Sequence, residues 1–175
     1  VVDNRNRSYF LHIPEKIKAN APLVFVLHGY GSSASSIMNY TKMNTIADEN
    51  GFAVCYPQAF LGSDEKHSWN AGYSNFDVDD VKFLSRLGTS LQEKYSLSPI
   101  NTFSTGMSNG ADMSYLLACQ NPEMFRAIAP IAGCMMESTY ADCNHIKPVS
   151  IFHVHGTDDD ITYWKGDKEY LPGSG

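Results

Sequence analysis

Gly106-Met107-Ser108-Asn109-Gly110 has the spacing of a serine carried on a tight strand-to-helix turn. Such a turn lifts the hydroxyl above a sheet, and the two flanking glycines leave room for neighbouring elements to approach. The helix that follows directs its free N–H groups at the same space, so the Asn109 amide can face a developing oxyanion. A second donor is expected from Leu27-His28-Gly29-Tyr30-Gly31, where an apolar run opens into a glycine-containing loop. Tyr30 N–H is the candidate, and His28 reads as a loop anchor rather than a base. A carboxylate is offered by His155-Gly156-Thr157-Asp158-Asp159-Asp160. Its task would be to orient an imidazole and stabilise the imidazolium formed during attack. Spacing alone leaves open which of the three aspartates serves; the others read as a solvated loop or a weak calcium site. Serine, carboxylate and paired amide donors are the parts of acyl transfer through a covalent intermediate, a chemistry that calls for no cofactor and no metal.

These parts need a frame that places several loops at one end of a sheet. Apolar or β-branched runs alternate with helical patterns, which implies a mostly parallel sheet with helices on both faces. Arg7 to Pro14, Leu23 to His28, Phe52 to Tyr56, Thr102 to Thr105, Ala127 to Ile131 and Ser150 to Val154 read as strands. Val78, Val81, Leu84, Leu87, Leu91 and Tyr95 form one apolar stripe, so a helix is expected from about Asp77. Asp77 can cap it, with Asp79 and Asp80 complementing its dipole. A second helix should run from Asn109 to about Gln120, stopped by Asn121-Pro122. Residues 32–40, 60–76 and 134–148 read as loops. Tyr30, Trp69, Tyr73, Tyr163 and Trp164 fall in loops after strands, and Trp69 is the foremost candidate for stacking on a substrate.

With 175 residues the chain can build one sizeable core but not two ordinary domains. Its net charge of -6 argues against a nucleic-acid partner. No apolar run approaches the roughly 20 residues of a membrane span. Of the four cysteines, Cys55 and Cys119 read as buried thiols, while Cys134 and Cys143 flank a loop they can close as a disulfide. A bridge there would suit an oxidising compartment, so a secreted or periplasmic location is expected. Oligomeric state is not legible.

The motifs together resemble the secreted esterases that include polyhydroxybutyrate depolymerases and feruloyl (cinnamoyl) esterases. The resemblance is carried by Leu27 to Gly31, Ser68-Trp69-Asn70-Ala71-Gly72, Val78-Asp79-Asp80-Val81, Gly106 to Gly110, Ala129-Pro130-Ile131-Ala132-Gly133 and His155 to Asp159. It implies an α/β-hydrolase fold, Ser108 as nucleophile, Asp159 as acid and the amides of Tyr30 and Asn109 as oxyanion hole. Ala111 stands where the family often has glycine. Thr162-Tyr163 replaces the usual valine-proline after the acid loop, so that loop can sit differently.

A third departure concerns the base. The order in this class is serine, acid, histidine, yet His12, His28, His67, His145, His153 and His155 all precede Asp159. His153 and His155 fall in or after a strand expected to be buried and read as anchors. His67, in a polar loop, is the one that could lie exposed near the site. The expectation is a single α/β-hydrolase domain over residues 1–175, truncated at its C-terminus. One further strand, a histidine loop and a final helix would lie outside it, leaving the Ser150 to Val154 strand as an unprotected edge. Three functions fit. The first is a serine carboxylic ester hydrolase acting on feruloyl or other aryl esters or on polyesters, soluble or polymeric. The second is a peptidase of the prolyl-oligopeptidase kind, for which neither an acidic pocket nor a gating domain is visible. The third is a non-catalytic binding protein on the same scaffold.

Overall fold

Every position from Leu23 to Leu27 is apolar, and a strand of that composition belongs where both faces are covered. In the computed structural model, which describes residues 5–72, 77–143 and 147–166, that strand lies inside a six-stranded sheet. The elements in chain order are β1 (Tyr9–His12), β2 (Leu23–Leu27), α1 (Ala34–Thr41), α2 (Met43–Asn50), β3 (Ala53–Pro57), β4 (Phe60–Leu61), β5 (His67–Ser68), α3 (Asp80–Tyr95), β6 (Thr102–Met107), α4 (Asn109–Gln120), β7 (Phe125–Ile131), α5 (Glu137–Asp142) and β8 (Ser150–Ile151). The sheet order is β1-β3-β2-β6-β7-β8, with β1 antiparallel to β3 and the other pairs parallel. β4 and β5 form a separate antiparallel hairpin.

Alternation along β2 sorts its side chains to two cores. Leu23, Phe25 and Leu27 pack with Leu84, Leu87 and Leu91 of α3 and Met113 and Leu117 of α4. Val26 packs on the opposite face with Ala34 and Ile37 of α1, Ala47 of α2 and Tyr56 of β3. Thus α1 and α2 cover one face and α3 and α4 the other.

Several expectations are corrected. Residues 32–40 are not a loop: α1 begins there, its Ser33 cap accepting from Ser36 N–H. Serine-rich sequence has low helix propensity; docking of Ala34 and Ile37 against Val26 and Tyr56 overrides it. α5 likewise forms within 134–148. The cap of α3 is Asp79, which accepts from Lys82 N–H at 2.8 Å, rather than Asp77. Asp80 does more than complement a dipole. Its buried carboxylate accepts from Arg7 at 2.6 Å and from Asn70 N–H at 2.8 Å, and the guanidinium lies over the Phe83 ring. A buried charge needs such partners, and this one ties α3 to the segment after β5.

The disulfide joins Cys119 to Cys143, not Cys134 to Cys143, and Cys119 is therefore not a thiol. Cys134 N–H is held by Asp112 Oδ1 at the start of α4, about 10 Å along the helix axis from Cys119. α5 instead packs beside the far end of α4, bringing Cys143 to a Cα–Cα distance of 5.3 Å from Cys119. Cys55 is buried in β3, as expected. The last strand is shorter than expected and lies at the sheet edge. A single bridge from Ile131 to Val154 extends its pairing, and Ile151, Phe152 and Val154 are exposed.

Candidate active site

Ser108 sits at the end of β6 with φ 54° and ψ -125°, a left-handed conformation costly for a residue with a Cβ. The surroundings hold it there. Ser108 N–H donates to Ile131 O at 2.9 Å, and Ser108 O accepts from Ala111 N–H at 2.7 Å and Asp112 N–H at 3.1 Å. The glycines of the motif are required by packing. A Cβ on Gly106 would fall 2.5 Å from Gly110 O, and one on Gly110 would fall 2.7 Å from His28 O. Gly133, from the loop after β7, lies under the same turn, where a Cβ would fall 2.7 Å from Ser108 O. Ser108 itself is half-buried. Its Oγ makes no hydrogen bond to any described residue, so it is open to an incoming group.

The parallel pairing of Leu27 with Gly106 brings the loop after β2 beside this turn. Gly29 lies so close that an added Cβ would sit 3.6 Å from Ser108 Cβ. His28 anchors the loop, as expected. Its Nε2 accepts from Ala59 N–H at 3.1 Å, which leaves the proton on Nδ1, 2.8 Å from Gly29 O. Burial draws His28 below its ordinary pKa; the Gly29 hydrogen bond opposes this and nearby His67 adds to it. Tyr30 N–H has no partner among the described residues. The Asn109 amide is one of the helix-start N–H groups that lack an intrahelical acceptor. Both are therefore free to donate.

The three aspartates that spacing could not separate differ in structure. Asp159 Oδ1 accepts from Ile161 N–H at 3.0 Å and Thr162 N–H at 2.9 Å, while Asp158 and Asp160 are exposed. The bond from Thr162, then that from Ile161, holds the Asp159 carboxyl below the usual range. Its Oδ2 lies 3.4 Å from His155 Nε2, whose closer partner is Thr162 O at 2.7 Å. Ser108 follows β6 and the Asp159 loop follows β8, with β7 between, a spacing of about 10 Å across the sheet. Ser108 N–H to Ile131 O and Ala132 N–H to Val154 O tie the three strand ends together. A cleft of about 330 Å³ opens beside this loop, lined by Asp158, Asp159, Asp160, Tyr163 and Trp164 among others.

Trp69 corrects an expectation. It is fully buried, its indole N–H donating to His28 O at 2.9 Å, so it offers no ring face to a substrate. Tyr30, Tyr163 and Trp164 are each about half exposed, and Tyr73 lies outside the described residues. No described histidine hydrogen-bonds Ser108. His12 pairs with Asp48, His67 Nδ1 lies 2.9 Å from Ala59 O and His153 pairs with the Tyr115 hydroxyl. His153 and His155 stack on each other, His153 exposed on the segment after β8 and the His155 side chain buried against Thr162 O; His145 lies outside the described residues. Sequence reasoning missed the Asn109 side chain, whose Oδ1 accepts from Trp69 N–H at 2.7 Å and whose Nδ2 donates to Trp69 O at 3.1 Å. A polar residue beside the serine was the only signal, and it does not specify a partner 40 residues away.

Residues 7–151 match the family described as esterase PHB depolymerase. The chain belongs to this family. Within the esterase PHB depolymerase group and its relatives, the chain is similar to a bifunctional acetylxylan esterase/xylanase of Neocallimastix patriciarum, 26% identical over 168 residues, covering 94% of this chain and 23% of that protein. It is similar to a probable feruloyl esterase C of Aspergillus oryzae, 26% identical over 169 residues, covering 92% of this chain and 58% of that protein. The chain thus spans well under two thirds of the length of either relative. A solved structure, esterase PE8, superposes with a TM-score of 0.70 at 20% identity, covering 92% of this chain and 80% of that one, a likeness of fold. The mostly parallel sheet with helices on both faces is that of an α/β-hydrolase. Among the described residues no helix is long and apolar enough to cross a membrane.

Proposed function

We propose that the protein is a serine carboxylic ester hydrolase working through an acyl-enzyme. The observation that carries the reading is Ser108, held left-handed between the Gly29 loop and the start of α4 with a hydroxyl that bonds no described residue. In this reading Ser108 Oγ attacks the ester carbonyl and its proton passes to an imidazole oriented by Asp159. The Tyr30 and Asn109 N–H groups donate hydrogen bonds to the carbonyl oxygen as negative charge develops on it. The proton then goes to the departing alkoxide, the C–O bond breaks, and water releases the acid by the same sequence. No described histidine hydrogen-bonds Ser108, so the imidazole is assigned to a part of the protein outside the described residues. The place of β8 at the sheet edge among the described residues and the greater length of the relatives support that assignment.

Feruloyl or other aryl esters and polyesters are the substrates proposed, since Tyr163 and Trp164, each about half exposed, line the cleft beside Asp159. The relatives named feruloyl and acetylxylan esterase support the ester class. The Cys119–Cys143 bridge supports a secreted or periplasmic location. The test is a panel of a nitrophenyl ester, a feruloyl ester and a proline amide, run on the full protein carrying this chain and on its Ser108→Ala variant. Ester cleavage lost with Ser108→Ala is expected. Amide cleavage would favour a peptidase, and no turnover a binding protein.

A further inference from the structure

The geometry assigns the β4–β5 hairpin a part in this site: Asp64 is a positioning residue that sets the Tyr30 amide through the Tyr30 hydroxyl. The inference rests on the acyl-transfer reading above and adds to it a residue 34 positions away. An exposed tyrosine in a glycine-flanked loop ordinarily samples several rotamers and lets its backbone follow. Tyr30, 51% exposed, is held instead. Its hydroxyl donates to Asp64 Oδ2 at 2.5 Å, and the Lys66 ammonium stands 5.0 Å from its ring centroid. Asp64 is itself fixed, because its Oδ1 accepts from Lys66 N–H at 3.2 Å. The hairpin tip is closed by Gly62 N–H to Lys66 O at 2.8 Å and Glu65 N–H to Gly62 O at 3.1 Å. The main chain completes the attachment, with Gly31 N–H donating to His67 O at 2.8 Å. Residues 30 and 31 are thus tied to the hairpin by one side chain and one amide, while the Tyr30 N–H has no partner among the described residues.

An oxyanion donor acts only when its N–H is aimed where the charge will develop, and a displacement of an ångström is costly. Losing the Asp64 bond leaves the Tyr30 ring with the Lys66 ammonium and the loop main chain with the Gly31 amide as its hairpin contacts. The loss should appear in the chemical step and not in substrate capture, since Asp64 reaches the reacting atoms only through Tyr30.

The experiment uses the full protein carrying this chain, with 4-nitrophenyl acetate as probe, and compares Asp64→Ala, Tyr30→Phe and their combination. Each single change is expected to lower kcat about tenfold with KM and Tm unchanged, and the double change to do no more than either. Asp64→Glu should recover part of the loss. In an independent readout, exchange of the Gly31 amide, which is bonded to His67 O, should quicken about tenfold in Asp64→Ala, with β2 and β6 unaffected. Losses that multiply in the double variant, a rise in KM at constant kcat, or unchanged exchange at the Gly31 amide would overturn the proposal. Turnover that survives Ser108→Ala would overturn the acyl-transfer reading instead, and the exchange measurement would still decide whether Asp64 holds the loop.

Discussion

The Asn109 side chain grips the Trp69 peptide from both sides, Oδ1 accepting its N–H at 2.7 Å and Nδ2 donating to its carbonyl at 3.1 Å. The residue after the serine is thereby bolted to the segment that follows β5. That segment is held in turn by Trp69 Nε1 to His28 O and by Asn70 N–H to Asp80. The direction of the Asn109 amide is set by this lattice as well as by the start of α4.

Asn109→Ala should therefore act on activity and stability together. It leaves a buried N–H and a buried carbonyl of Trp69 without partners, at a cost of about 1–3 kcal/mol. Urea unfolding should show that loss. Single-turnover acylation by the full protein should slow at the same time, because the amide donor beside Ser108 is no longer aimed.

Ser108→Gly and Ser108→Ala should part company in stability while sharing the loss of turnover. Glycine adopts φ 54° without a Cβ penalty, whereas alanine keeps the strain. The glycine variant is expected to be more stable than the alanine variant by roughly 1 kcal/mol. Equal melting temperatures would mean that the turn is not strained.

Removing the Cys119–Cys143 bond should lower stability by about 3 kcal/mol on chain-entropy grounds. Cys119→Ser and Cys143→Ser are each expected to show the loss, and Cys134→Ser should not. Peptide mapping under non-reducing conditions reads the pairing directly.

The buried His28 predicts an acid limb in stability. Its folded pKa lies below the ordinary value, so its contribution is full above about pH 6.5, the unfolded histidine value. That contribution is lost as pH falls through the lower folded pKa, because the unfolded chain then binds the extra proton. Burial is the main cause, and the Nε2 that would take the proton already faces Ala59 N–H. Histidine NMR titration should place the His28 midpoint below that of an unstructured peptide. A midpoint above it would contradict the assigned tautomer.

Much of the fold is legible in short-range pattern. A continuous apolar run such as Leu23 to Leu27 and a three-and-four stripe such as Leu84, Leu87 and Leu91 each report burial through the periodicity of one element. The Gly-x-Ser-x-Gly turn is equally local: its glycines are demanded by backbone atoms of Leu27, His28 and Gly110 that crowd the same few ångströms. What lay beyond the sequence were pairings between distant segments. Trp69 read as an exposed aromatic because loops tend to be exposed, and only packing against His28 and Asn109 puts it in the core. Spacing left Asp159 one of three equivalent letters, and only the resemblance picked it out; in the fold the amides of Ile161 and Thr162 turn back onto its carboxylate. The cysteine bridge depended on which end of α4 meets α5. Periodicity records how one element meets its surroundings, whereas a contact between residues 40 positions apart is decided only when the chain closes on itself.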